Sequence, residues 1–177
     1  QLGLPVEYLG VFGIPLVVTG FKWLWAPLVD RYGSEKIGRR MSWIIPSSAL
    51  VAGLYLVIGS ISPSLEAFAL ILGLFIAVKV VFSTYEIAAD AYVVERLGDN
   101  EQGTGAGAVW FGKELGQVIG LAGLMIVADL YGWAPAFYAA AALFVAINLI
   151  GLTRREQPVR ARPEGHSAKV WTYLREP

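Results

Sequence analysis

The chain has 177 residues, 56% of them apolar and only 16% charged, with one His and no Cys. A typical soluble domain is about 45–50% apolar and about 25% charged, so an ordinary globule, a disordered chain and a disulfide-stapled domain are all disfavoured. Its 14 basic and 14 acidic residues cancel, which gives no sign of a nucleic-acid partner. Without Cys, and with the single His in a polar tail, we predict no metal site, no cofactor and no enzymatic activity.

Five apolar stretches are long enough to cross the roughly 30 Å core of a bilayer, which takes about 20 residues. In chain order they cover about 8–29, 41–58, 67–94, 104–128 and 133–152. Because five such spans leave too little polar surface for a soluble protein, we predict an all-α polytopic helix bundle in the lipid bilayer. Residues 153–177 are rich in Arg and Pro and are predicted to be a linker, with a short amphipathic segment at 168–175.

The basic residues between the spans predict the orientation of the chain. Those in the connections lie on one side of the predicted membrane and number eleven: Arg31, Lys36, Arg39, Arg40, Arg96, Arg154, Arg155, Arg160, Arg162, Lys169 and Arg175. Because Lys and Arg concentrate in cytoplasmic connections, this side is predicted to be cytoplasmic. We therefore expect a multi-pass protein of the cytoplasmic (inner) membrane, with the chain start outside and the chain end inside. An odd number of spans from an external start suggests that an upstream helix is missing.

The third predicted span carries four polar residues at spacings i, i+4, i+7 and i+11, which lie on one helical face: Lys79, Ser83, Glu86 and Asp90. A charged side chain facing lipid at a helix centre costs at least about 2.5–3.5 kcal/mol, so such residues face a bundle interior or a hydrated cavity. We predict that this face is one wall of a substrate and proton pathway, with Glu86 as the best candidate for the proton site and Glu114 of the fourth span as the alternative. The alternative is a set of ion pairs that only fixes helix packing.

Two further spans contribute charges to the predicted pathway. Lys113 and Glu114 are adjacent in the fourth span and point about 100° apart, so one can pair with the third span while the other faces the cavity. Lys22 in the first span either extends to the inner surface or meets an acid of the third span. The fourth span also carries Gly112, Gly116 and Gly120, a repeat of small residues that favours close helix packing in lipid.

The first cytoplasmic connection begins at Asp30-Arg31 and ends at Gly38-Arg39-Arg40. An Asp at a helix end, followed by a short loop that ends in Gly-Arg-Arg, resembles the loop motif of the major facilitator superfamily. Three longer strings are similar to the AmpG-type muropeptide permeases and their acetyl-CoA-transporter relatives: Lys22-Trp-Leu-Trp25-Ala-Pro27-Leu-Val-Asp30-Arg31, Glu86-Ile-Ala-Ala-Asp90-Ala91 and Gly103-x-Gly105-Ala106-Gly107.

The resemblance implies twelve helices in two six-helix halves that rock about a midplane site. The five spans would be the second to sixth helices, and the missing second half of the same polypeptide would be a partner. It implies secondary active transport of a small-molecule substrate such as a muropeptide, with the proton as coupling ion. The loop motif, formed by Asp30, Arg31, Gly38, Arg39 and Arg40, would act in conformational change. A cation-coupled sugar or drug transporter of the same superfamily and a non-transporting membrane scaffold or sensor remain alternatives.

Overall fold

The computed structural model describes residues 13–34, 37–98 and 100–152. The start of the first predicted span and the predicted linker at 153–177 lie outside these residues. The described helices are α1 (Ile14–Gly20), a 3-10 turn (Lys22–Leu24), α2 (Ala26–Arg31), α3 (Met41–Ser60), α4 (Phe68–Val94), α5 (Gln102–Tyr131) and α6 (Trp133–Leu152). No strand occurs in this part of the chain, so the predicted all-α class is confirmed.

Four helices are long and apolar enough to cross a membrane: Met41–Ser60, Phe68–Val94, Gly103–Tyr131 and Trp133–Ile150. They correspond to the last four predicted spans. A single residue, Gly132, separates α5 from α6. Its φ of 91° lies in the left-handed region that glycine adopts without a steric penalty, and such a glycine commonly ends a helix. The chain therefore turns back at once, and α6 runs antiparallel beside α5.

The described part of the first predicted span is not one continuous helix. Helix α1 ends at Gly20, and a 3-10 turn precedes α2. Pro27 lies in the first turn of α2. Proline has no amide hydrogen to donate, and its ring clashes with the carbonyl four residues earlier, so a helix cannot run through this position without distortion. The break places Lys22 on the 3-10 turn rather than on a regular helix.

The core lies where α3 packs against α4 and α6. Val51, Ile58 and Val78 form its buried centre, surrounded by partly buried apolar side chains. Aromatic rings pack around it, and the Trp133 and Phe137 ring centroids are 4.6 Å apart. The Trp133 indole Nε1 also donates a hydrogen bond of 3.0 Å to the Ile58 carbonyl, which satisfies the one polar group of this large apolar side chain.

The tightest glycine contact between transmembrane helices joins α3 to α6. A Cβ built at Gly59 would lie 2.8 Å from Cε1 of Tyr138 and 3.0 Å from Cβ of Phe137, so no larger residue fits without a shift. By contrast, a Cβ at Gly112, Gly116 or Gly120 would meet no atom of another helix within 4 Å. Among the described residues no other helix packs against these three glycines, and the close packing proposed for them stays a prediction. Helix α5 contacts mainly α6 and barely touches α4, and its glycines are turned away from both.

Candidate functional site

Four charged residues form one network where the 31–40 connection meets the end of α4. Arg40, only 6% exposed, donates from Nη1 to Asp30 Oδ1 over 2.6 Å and from Nη2 to Glu95 Oε1 over 2.7 Å. Arg39 Nη2 donates to the same Glu95 oxygen over 2.8 Å. We call Asp30, Arg39, Arg40 and Glu95 the loop network. It ties the C-terminus of α2, the N-terminus of α3 and the C-terminus of α4 together at one end of the bundle.

The electrostatics of the loop network keep its central pair ionised. Burial favours the neutral acid and would raise the pKa of Glu95, but the hydrogen bonds and charges of Arg40 and Arg39 outweigh it, so the pKa of Glu95 is lowered. Burial likewise lowers the pKa of Arg40, but its bonds to Glu95 and Asp30 outweigh this and raise that pKa above its ordinary value. Each group thus stabilises the charged form of the other.

The backbone of the connection explains how the arginines reach their partners. Gly38 has a φ of 105°, which a residue with a side chain rarely adopts, and its amide donates to the Ser34 carbonyl over 3.0 Å. Ser42 Oγ then accepts from the Ser34 amide and donates to the Arg39 carbonyl. The loop therefore folds back on itself before α3 begins, which directs Arg39 and Arg40 toward α4.

The structure includes three of the five predicted motif residues in this network and adds one. Asp30, Arg39 and Arg40 are members, and Gly38 shapes the turn. Arg31 is not a member, and its guanidinium lies 6.0 Å from the centroid of the neighbouring Tyr32 ring. Sequence reasoning missed Glu95. The signal was present, since an acid directly follows the apolar run of α4 on the side where the basic loop lies, but the pattern does not identify which arginine it meets.

Lys22 and Glu86 form an ion pair between the broken first segment and α4. Their Nζ and Oε2 atoms are 3.7 Å apart, and the side chains are 38% and 21% exposed. Of the two alternatives left open for Lys22, the structure shows the contact with an acid of α4. A second link lies close by, because the Trp25 indole Nε1 donates to Thr84 Oγ1 over 3.2 Å. Sequence reasoning did not single out Trp25 or Thr84 as partners, since only the fold brings these distant residues together.

A second ion pair joins α5 to α4. Lys113 Nζ donates to Asp90 Oδ1, and both side chains are partly exposed. This is the predicted case in which one member of the Lys113–Glu114 pair meets α4. Glu114 is exposed, and in the part of the chain that the structure describes it has no ion pair or hydrogen bond.

The other two residues of the predicted polar face differ from each other. Ser83 is 1% exposed, and its Oγ has no hydrogen-bond partner among the described residues. The described helices therefore pack over Ser83 in this conformation, and its place on one wall of a pathway stays a prediction. Lys79 is partly buried. Its Nζ lies 6.0 Å from the Phe82 ring centroid, and no carboxylate among the described residues pairs with it.

Apolar helices of membrane-spanning length, with charged side chains paired between them, define a multi-pass membrane protein. Within the described ranges no cluster of three metal-ligating side chains occurs. The family model of the Major Facilitator Superfamily matches residues 1–177, and the chain belongs to this superfamily of transporters. The resemblance carried by its loop motif is thereby confirmed.

Two curated relatives are similar to the chain at low identity. The "Putative transporter AmpG 4" of Rickettsia felis is 26% identical over 179 residues, which cover 98% of this chain and 43% of that relative. The "Anhydromuropeptide permease" of Escherichia coli K12 is 26% identical over 143 residues, covering 80% of this chain and 29% of the permease. The chain thus spans less than half the length of each of these relatives.

Proposed function

We propose that this chain forms part of a secondary active transporter that moves a small polar solute across the cytoplasmic membrane by alternating access, coupled to protons. Muropeptides are the proposed solute class, because a relative named as an anhydromuropeptide permease aligns with 80% of the chain. The end of the bundle that carries the loop network is proposed to face the cytoplasm, since basic residues concentrate in the connections at that end.

The observation that carries the proposal is the Lys22–Glu86 pair. Glu86 is 21% exposed, and Lys22 Nζ lies 3.7 Å from its Oε2. Desolvation favours a neutral carboxylic acid, whereas a nearby ammonium favours the carboxylate. A motion that separates the two side chains therefore removes the neighbouring positive charge from the carboxylate, and a motion that restores the contact returns it.

The backbone around Lys22 is suited to such a motion. Lys22 begins the 3-10 turn between α1 and α2, and interrupted helices recur around the binding sites of secondary transporters. Because this turn connects two short helices, its backbone can change shape without breaking the hydrogen bonds of a long helix. Glu86, by contrast, is on the continuous helix α4. The pair therefore joins a deformable segment to a rigid one.

The loop network is proposed to stabilise one of the two end states. It connects α2, the start of α3 and the end of α4, so a movement that spreads these helix ends must break several charged hydrogen bonds. The free energies of a transporter's two states differ by only a few kcal/mol, so loss of these hydrogen bonds changes how much of each state is populated. Asp30, Arg39 and Arg40 are thus proposed to act in conformational change through the contacts of the loop network.

The test of proton coupling uses the whole protein in proteoliposomes and compares two kinds of uptake. Accumulation driven by a pH gradient requires coupling, whereas exchange of labelled muropeptide at equal pH requires only the binding site and alternating access. Glu86→Gln is expected to abolish gradient-driven accumulation while retaining exchange. Glu114→Gln is the matched variant, since Glu114 is the alternative proton site. If accumulation persists in Glu86→Gln and is lost in Glu114→Gln, the proton site is Glu114. If the unmodified protein shows neither accumulation nor exchange, the proposed solute is wrong.

A further inference from the structure

Lys79 lies near the middle of the membrane-spanning helix α4. It comes eleven residues after Phe68, the first residue of the helix. This places it about 16 Å along a helix that is about 40 Å long. Val78 before it is buried in the core, and Ser83 one turn later is also buried. Because Ser83 and Glu86 share its face, the lysine is directed toward the packed side of α4 rather than toward lipid.

The acids closest to Lys79 along this face are already paired. Glu86 meets Lys22, and Asp90 meets Lys113. Glu86 is also seven residues away, about 10 Å along the helix axis. Glu114, next to Lys113 on α5, is exposed and forms no ion pair among the described residues. Among the described residues Lys79 thus has an aromatic neighbour, Phe82, but no carboxylate.

We propose that Lys79 binds an anionic group of the transported solute, either a carboxylate or a phosphate. An intramembrane cation needs a counter-charge or water, and a lysine ammonium forms strong charge-assisted hydrogen bonds with both anions. The inference rests on the proposed transport function and adds to it a residue that selects for charge. It places the anionic group near mid-depth, about 10 Å along α4 from the Lys22–Glu86 pair, so solute binding and proton binding use different side chains.

The test measures binding to the detergent-purified whole protein, so that it does not depend on transport or coupling. Three probes share one sugar ring: N-acetylglucosamine is neutral, N-acetylmuramic acid adds a carboxylate, and N-acetylglucosamine 6-phosphate adds a phosphate. Calorimetric titration of each probe is carried out with the unmodified protein, Lys79→Met and Lys79→Arg. Val80→Met is the matched control, because Val80 is the next residue of the same helix and is 41% exposed.

The proposal expects an anionic probe to bind the unmodified protein more tightly than the neutral sugar. Lys79→Met should weaken binding of that probe about tenfold or more, the loss typical of one charge-assisted hydrogen bond, and leave binding of the neutral sugar unchanged. Lys79→Arg should retain most of the preference, and Val80→Met all of it. If Lys79→Met weakens binding of N-acetylmuramic acid, the site binds a carboxylate. If it weakens binding of N-acetylglucosamine 6-phosphate, the site binds a phosphate.

Three results would overturn the proposal. The first is that neither anionic probe binds the unmodified protein. The second is that Lys79→Met leaves the preference for the anionic probe intact. The third is that Lys79→Met weakens the binding of all three probes equally. The last result would assign Lys79 a structural role. Failure of muropeptide uptake in proteoliposomes would contradict the proposed function alone, because these titrations report charge selection without any transport step.

Discussion

Replacing Glu95 with Gln should destabilise the end of the bundle where the 31–40 connection meets α4. One carboxylate oxygen of Glu95 accepts three hydrogen bonds, two from Arg40 at 2.7 and 3.1 Å and one from Arg39 at 2.8 Å. The substitution keeps the shape of the side chain but removes its charge, and Arg40 is left with Asp30 as its described carboxylate partner.

The expected size of the effect follows from the burial of the pair. Hydrogen bonds to charged groups contribute about 1.5–3 kcal/mol, and removing one partner of a buried ion pair costs about 3–5 kcal/mol. Because the Gln amide oxygen can still accept from the arginines and Arg40 keeps Asp30, we expect a loss of about 2 kcal/mol in the free energy of unfolding, near the lower end of the first range.

The same contacts predict how stability depends on pH. The arginines lower the pKa of Glu95 from its ordinary value of about 4.5. A lowered folded-state pKa contributes stability that is fully present above the unfolded-state value and is lost as pH falls through the folded-state value. The unmodified protein should therefore lose part of its stability below about pH 4.5, whereas Glu95→Gln lacks this contribution at every pH.

Thermal melting of the detergent-purified protein between neutral and acidic pH measures both effects. Glu66→Gln is the matched control, because Glu66 is exposed in the connection before α4 and surface substitutions usually change stability by less than about 0.5 kcal/mol. At neutral pH, Glu95→Gln should melt well below the parent and the control, and on acidification its melting temperature should fall less. If Glu95→Gln melts with the parent at neutral pH and shows the same decline in acid, the loop network does not stabilise this fold.

Three further substitutions test the loop network and the helix packing. Asp30→Asn removes the charge from the second carboxylate partner of Arg40 and should slow solute uptake at unchanged membrane abundance; equal uptake per inserted molecule would contradict a conformational role for the network. Gly59→Leu should cost about 1–3 kcal/mol, typical of overpacking, because its side chain would collide with Tyr138. Gly116→Leu meets open space and should melt like the parent, so equal losses in both variants would show that α5 has a close neighbour at Gly116.

The sequence by itself determined which segments are helical and which can cross a membrane. Helices α3 to α6 match the predicted spans because length and hydropathy are properties of a continuous segment and need no information about its neighbours. The break before α2 also has a local cause, the proline at position 27, a residue that kinks or ends a helix. The loop motif is local as well, and the family match confirms the resemblance it carries.

The partners of the charged residues were decided only by the tertiary structure. The sequence shows that Lys22, Lys113, Glu86 and Asp90 are costly to expose to lipid, and therefore that they need partners. It does not show that Lys22 meets Glu86, or that Arg40 meets Glu95, because those contacts depend on how helices far apart in the chain are placed side by side. The predicted packing of Gly112, Gly116 and Gly120 depends on the same kind of information, and no other helix lies against them among the described residues. Small residues permit a close approach, but the arrangement of the helices determines whether another helix is there.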